Sequence, residues 1–185
     1  MTCTRVTLAS GSPQRAEILG KLGIEFDVIV PGVDELSGGD PEVEVVENAR
    51  RKAHAAPASR LVVACDTDVV LDGRALGKPA DEAEARAYLD RMSGRAHQVM
   101  SGLVVLRDGD ERSGLERTMV VFRALDEEEK ERYVRFGEWR GRSGGYAIQT
   151  LGSTLVERIE GSVSNVVGLP VGLLARLAPE LLDRP

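Results

Sequence analysis

Cysteine is nearly absent: the 185 residues include two, Cys3 and Cys65. They stand far apart, with no His or Cys at metal-ligand spacing, so neither a disulfide framework nor a zinc site is suggested and both are expected to be reduced thiols. Long apolar runs are missing too. Nowhere do about eighteen apolar residues follow one another, and the opening stretch is too short for a signal h-region and lacks a small-residue cleavage pattern. A cytoplasmic chain with no membrane partner is therefore expected. Basic excess is the third absence, since 24 Lys and Arg face 30 Asp and Glu for a net charge of −6. Broad attachment to nucleic acid or an anionic membrane needs the opposite sign. Any anionic ligand must meet positive groups gathered locally.

What is present is the composition of a folded protein, with 42% hydrophobic and 29% charged residues, well outside the low-hydrophobicity regime of disorder. The length suits one domain, residues 1–185, with room for two lobes around a cleft. Arg5 to Ala9 reads as a first strand, broken by Ser10-Gly11-Ser12-Pro13 before a helix to Leu22. Ser12 suits the N-cap, Pro13 the first helical position, and Gly23 the stop. Phe26 to Val30 reads as the next strand. In the helix from Pro41 to Ala55, Val45, Val46, Ala49 and Ala53 face inward and Arg50, Arg51 and Lys52 lie around the other side. Leu61 to Cys65 is a strand of buried type, and Val69 to Leu71 run into an Asp72-Gly73 turn. Asp81 to Met92 and Asp126 to Phe136 read as helices. Between them, His97 to Leu106 and Glu116 to Leu125 form an antiparallel pair about Asp108-Gly109. A Gly/Arg-rich loop from Gly137 to Gly145, a strand from Thr154 to Ile159 and a helix from Val171 to Leu182 follow. The pattern predicts an α/β fold, a mixed central sheet with flanking helices, whose cleft collects strand-end loops.

Four segments carry candidate chemistry, and each has a plain structural alternative. Ser10-Gly11-Ser12-Pro13-Gln14-Arg15 links strand to helix, a junction that aims backbone N–H groups at an anion; the commoner use of such a junction is an ordinary capped helix, and it is not a Walker A loop. Cys65-Asp66-Thr67-Asp68 lies where the buried strand is expected to emerge. Carboxylates there can hold a divalent metal or take a proton from water, or merely cap a turn. Asp66 and Asp68, two apart, face the same side of an extended chain. Gly77-Lys78-Pro79 offers a point charge to phosphate, or a solvated lysine. Gly141 to Gln149, continued by Glu160 to Pro170, can present an amide to a base edge, or form a hairpin with no ligand. Asp34-Glu35 and Arg51-Lys52 are unremarkable alone. His54 and His97 have no nucleophile pattern beside them and read as structural or surface residues. Trp139 reads as a packing or lid residue.

In order, these blocks resemble the Maf family of nucleoside triphosphate pyrophosphatases over nearly the whole chain. The resemblance rests on Leu8 to Arg15, Asp34-Glu35, Lys52-Ala53, Ala64 to Val70, Gly77-Lys78-Pro79, Leu89 to Gly94, Gly144 to Gln149 and Asn165 to Pro170. It implies a fold like that of inosine triphosphate pyrophosphatases. It also implies hydrolysis between the α- and β-phosphates of a nucleoside triphosphate, with a divalent cation, Mg²⁺ or Mn²⁺, held by Glu35 and Asp66. On the matching positions Asp66 is the proton acceptor for the attacking water, and Lys52, Lys78 and Arg15, with Ser10 and Ser12, bind the triphosphate. The resemblance further implies that substrate choice follows positions 14, 67 and 149. Thr67 and Gln149 match the branch acting on dTTP and UTP; Gln14 stands where that branch carries Arg, and Arg142 where Lys is common. The alternatives are a 7-methyl-GTP pyrophosphatase, against which Thr67 and the lack of an aromatic at position 14 speak, and a non-enzymatic nucleotide-binding regulator of cell division. A homodimer is compatible with such a fold.

Overall fold

The apolar run from Leu61 does not stop at Cys65. A computed structural model, which describes residues 6–57 and 61–183, shows a strand from Leu61 to Leu71 that passes straight through the acidic segment. The expectation of a strand end at Asp66 is thereby corrected: the strand from Ala96 to Arg107 pairs with it from Leu61↔Arg107 to Val70↔Gln98 without interruption. A partner that continues outweighs the polarity of three residues.

The strands are β1 (Val6–Ala9), β2 (Phe26–Ile29), β3 (Leu61–Leu71), β4 (Arg74–Ala75), β5 (Ala96–Arg107), β6 (Asp110–Phe122) and β7 (Val156–Glu160). They form one sheet in the order β2-β1-β3-β5-β6-β7, with β4 paired to β3. β1 is parallel to β2 and β3, and the other pairings are antiparallel. The expected mixed sheet is what the chain builds. Both predicted Asp-Gly turns are two-residue hairpins with positive φ at each position, 53° and 74° at Asp72-Gly73 and 47° and 91° at Asp108-Gly109, the backbone that matches strand twist. Arg5 and Cys3 lie outside the described residues; Cys65 is a free, buried thiol.

The helices are α1 (Pro13–Lys21), α2 (Pro41–Ala55), α3 (Glu82–Met92), α4 (Glu127–Phe136), α5 (Val163–Val167) and α6 (Val171–Leu177). Their ends follow local chemistry: Asp81 caps α3 through Glu84 N–H, and Asp126 with Glu129 closes a capping box on α4. Two late elements depart from expectation. α6 ends at Leu177 rather than Leu182, because Pro179 restricts Ala178 and a 3-10 turn, Pro179–Leu181, finishes the chain's turn. The stretch after Glu160 is no hairpin: Ser162 caps α5 through Asn165 N–H, and Gly168 at φ 121° ends it.

α2 lies on one face of the sheet over Ala9, Val62, Ala64 and Val104. The opposite face packs Val6, Leu8, Val63 and Cys65 against Leu19 of α1 and Leu173 and Leu174 of α6. Further along, a cluster around Leu71, Leu89, Val120, Phe122 and Tyr133 joins α3 and α4. α2 sits unusually close because Gly102, opposite Asp66 in the ladder, has no side chain. A Cβ there would fall 2.2 Å from the carbonyl oxygen of Val45, so only glycine lets the helix axis reach its place. Gly102→Ala is expected to lower stability by about 2 kcal/mol, as overpacking of a filled contact does. Urea unfolding measures it, and an unchanged midpoint would show that α2 does not depend on this approach.

Candidate active site

β1 pairs with β3 only at Val62 and Val63, and β4 only at Val70 and Leu71. Between them the edge of β3 is uncovered, and there a cleft of about 720 Å³ opens. Ser10, Ser12, Gln14, Arg15, Glu35, Lys52, Asp66, Thr67, Lys78 and Gln149 all line it. The structure thus brings every sequence-predicted site residue to one cavity, and it does so through a gap in the sheet rather than a strand end.

Alternation along β3 divides the site. Asp66 points toward α2, where Lys52 is buried rather than outward with Arg50 and Arg51. The correction follows from helix geometry: Lys52 lies about two turns after Val45 and returns to its face. Its Nζ sits 2.6 Å from Asp66 Oδ1 and 2.5 Å from Glu35 Oε1. The other Asp66 oxygen, Oδ2, accepts from Asn48 Nδ2 at 3.2 Å. Asn48 also clasps Leu36, donating to its carbonyl at 3.1 Å and accepting its N–H at 2.7 Å. That clasp fixes the loop bearing Glu35. Sequence reasoning missed Asn48, although a polar residue on the apolar stripe of a helix is the signal that would have found it. Asp68, on the same face as Asp66, bonds to Ser143 Oγ at 2.6 Å. Burial pushes its carboxyl up to about 6, against the pull of that hydrogen bond and with Asp66, Glu35 and Glu44 adding repulsion.

Thr67 points to the opposite face. Its hydroxyl lies 2.8 Å from Ser101 Oγ and accepts from Arg15 Nη2 at 3.1 Å. Arg15, buried, also donates to Ser10 Oγ and to Gly168 O, each at 2.8 Å. It therefore ties the β1–α1 loop, β3 and the end of α5 into one wall, and two of its five N–H groups remain for a ligand. Ser12 occupies the N-cap position of α1 but makes no side-chain cap; its Oγ instead donates to Gln14 Oε1 at 3.1 Å. Lys78 is exposed and makes no ion pair among the described residues.

The Gly-rich loop closes the far wall. Gly144 at φ 69° lies flush on β3, where a Cβ would fall 2.6 Å from the Val69 side chain, and its N–H donates to Gly77 O at 2.7 Å. Tyr146 lines the cleft and meets Nε2 of buried His97 at 2.8 Å. Trp139 is a packing residue, its indole N–H donating to Val134 O at 3.0 Å. His54 is exposed beside Glu111.

Residues 5–181 match the family described as Maf-like protein. The chain belongs to that family. Among curated relatives, one from Deinococcus radiodurans named dTTP/UTP pyrophosphatase is 47% identical over 180 residues, covering 95% of this chain and 92% of its own. Proteins of the same name from Pyrococcus abyssi and Myxococcus xanthus are 42% and 46% identical, covering 93% and 91% of this chain and 94% and 88% of their own lengths. Among solved structures, the Staphylococcus aureus Ham1 protein aligns with TM-score 0.46 at 18% identity over 64% of this chain and 71% of its own.

His97 gives the site wall a pH signature. Burial lowers its pKa from 6.5 to about 4, so the unfolded chain binds the proton more readily. The stability that neutral His97 contributes is full above pH 6.5 and falls as pH drops toward 4, on the order of 3 kcal/mol over the whole window. Asp68, raised from 3.8 to about 6, acts in the opposite sense, so the test compares variants. Urea unfolding of His97→Gln should show a shallower loss between pH 6.5 and 4 than the parent, and identical slopes would remove His97 as the source.

Proposed function

We propose that the chain hydrolyses nucleoside triphosphates between the α- and β-phosphates, releasing a monophosphate and pyrophosphate, with dTTP and UTP preferred. The observation that carries this reading is the buried set of Lys52, Asp66 and Asn48, joined by Glu35 from an exposed loop and open to a cleft whose other walls offer cationic and amide donors. The names of the relatives support it, at up to 47% identity over most of the chain.

Asp66 acts as proton acceptor. Lys52 and Asn48 each hold one of its oxygens, which fixes the carboxylate and leaves lone pairs to take a proton from water. Lys78, the uncapped start of α1 and the two spare donors of Arg15 face the cleft, where they stabilise charge spreading over the phosphates. Gln149, exposed at the mouth, presents its amide to a base edge. A divalent cation, Mg²⁺ or Mn²⁺, fits the donor set: oxygens of Glu35 and Asp66 converge on one cationic point, the Lys52 ammonium, and Mg²⁺ takes one or two carboxylates with substrate phosphates supplying the rest. Such an ion would be held by Glu35 and Asp66 and would neutralise developing charge on the phosphoryl oxygens.

With Mg²⁺ and a panel of natural and modified triphosphates, the purified chain is expected to release pyrophosphate, fastest from dTTP and UTP. Asp66→Asn should lower kcat on the order of 10³-fold while circular dichroism stays that of the parent. Binding without turnover across the panel would favour a nucleotide sensor instead, and a parent-like rate for Asp66→Asn would remove that residue from the mechanism.

A further inference from the structure

Asp68 has no part in the mechanism above, yet it is a half-buried carboxylate in the cleft wall, two residues from Asp66. Its contacts are specific. Ser143 Oγ donates to Asp68 Oδ1 at 2.6 Å and accepts the N–H of Val69 at 3.1 Å. The serine therefore bridges a side chain and a backbone group of β3 from the first position of the 3-10 turn Ser143–Gly145. The next residue adds a second point of attachment, Gly144 N–H to Gly77 O at 2.7 Å. Gly144 has no room for a side chain against Val69, so the loop is already pressed onto the strand at this seam. Downstream of the seam come Tyr146 and Gln149, which line the cleft. One oxygen of Asp68 is thus engaged by a partner in the loop.

We infer that Asp68 is a positioning residue: through Ser143 it latches the loop of residues 141–149 to the strand that carries Asp66, and thereby sets nucleotide affinity rather than the rate of the chemical step. The inference rests on reading the cleft as a nucleotide site. The latch is a hydrogen bond to a charged acceptor in a partly buried place, the stronger class of such bonds, and its loss frees the segment that faces the ligand. A free loop must be ordered again at each binding event, which weakens binding while leaving Asp66 and Lys52 in place.

The test combines steady-state kinetics on dTTP with hydrogen–deuterium exchange of the loop amides. Asp68→Ala and Ser143→Ala should each raise KM about tenfold with kcat within about twofold. Both should speed exchange across residues 141–149, and the double variant should be no worse than either single one. Asp68→Asn, whose amide oxygen can still accept from Ser143, should recover most of the KM and the slow exchange. Asp68→Asn as impaired as Asp68→Ala with the loss in kcat, additive single effects, or unaltered loop exchange would each overturn the latch. Should Asp68→Ala fail to fold, Ser143→Ala decides alone. Should the parent chain hydrolyse no triphosphate, the proposed function fails, while exchange in Ser143→Ala still decides the latch.

Discussion

The ammonium of Lys52 is the interaction on which the rest of the site depends. A lysine nearly removed from water costs several kcal/mol unless charges of opposite sign meet it at contact distance. Here Asp66 and Glu35 do so from two different segments. Because the charge cannot be buried without them, the loop at Glu35, helix α2 and strand β3 are obliged to meet at one point. Asn48, one turn earlier on the same stripe of α2, satisfies the second oxygen of Asp66 and anchors the loop at Leu36. The buried members, Lys52, Asp66 and Asn48, thus each find a partner, the condition under which a buried network specifies one arrangement instead of loosening the core.

That network in turn requires α2 to lie close to the sheet. The bare Cα of Gly102, directly across the ladder from Asp66, removes the side chain that would otherwise hold the helix away. A second constraint opens the space in front of it. β1 turns into α1 after Ala9 while β3 runs on to Leu71, and the mismatch in strand length leaves a strand edge facing a cavity instead of another strand. Exposed edges usually invite pairing with other chains. In this fold the edge is screened by the loops that converge there, Ser10 to Arg15 on one side and Gly141 to Gln149 on the other.

Much of this was legible in the residues. Asp126 to Phe136 reads as a helix, Asp108-Gly109 as a tight hairpin and Pro13 as a helix start, because each depends on neighbours in sequence. Alternation placed Asp66 and Asp68 on one face without any knowledge of the partner strand. What escaped depends on neighbours in space. The continuation of β3 through Asp66-Thr67-Asp68 is enforced by β5, whose ladder is invisible from the acidic segment itself. Lys52 was grouped with Arg50 and Arg51 by charge, whereas its helical phase relative to Val45 puts it inside. Ser12 was given the N-cap on residue type, and the position is right; the hydroxyl serves Gln14 because that side chain lies within reach. The combination of blocks, more than any one of them, made the cleft recognisable, since a lone Lys78 or a lone Ser10 loop has many structural uses.

The pleat of β3 also separates two functions that adjoin in sequence. Asp66 faces α2 and belongs to the network of Lys52. Thr67 faces the other way and belongs to that of Arg15, Ser101 and Gly168. A change in the hydroxyl at position 67 would be transmitted to Arg15, and through Arg15 to Ser10 and the end of α5, without displacing the carboxylate one residue earlier. The Thr67 hydroxyl is spent on holding Arg15, so a change at position 67 acts first on the guanidinium it positions. Gln14 acts on the same wall from a different direction. A neutral amide held by Ser12 offers a phosphate less attraction than a guanidinium would, and the buried Arg15 beside it, with donors to spare, supplies the fixed positive charge that this part of the cleft retains.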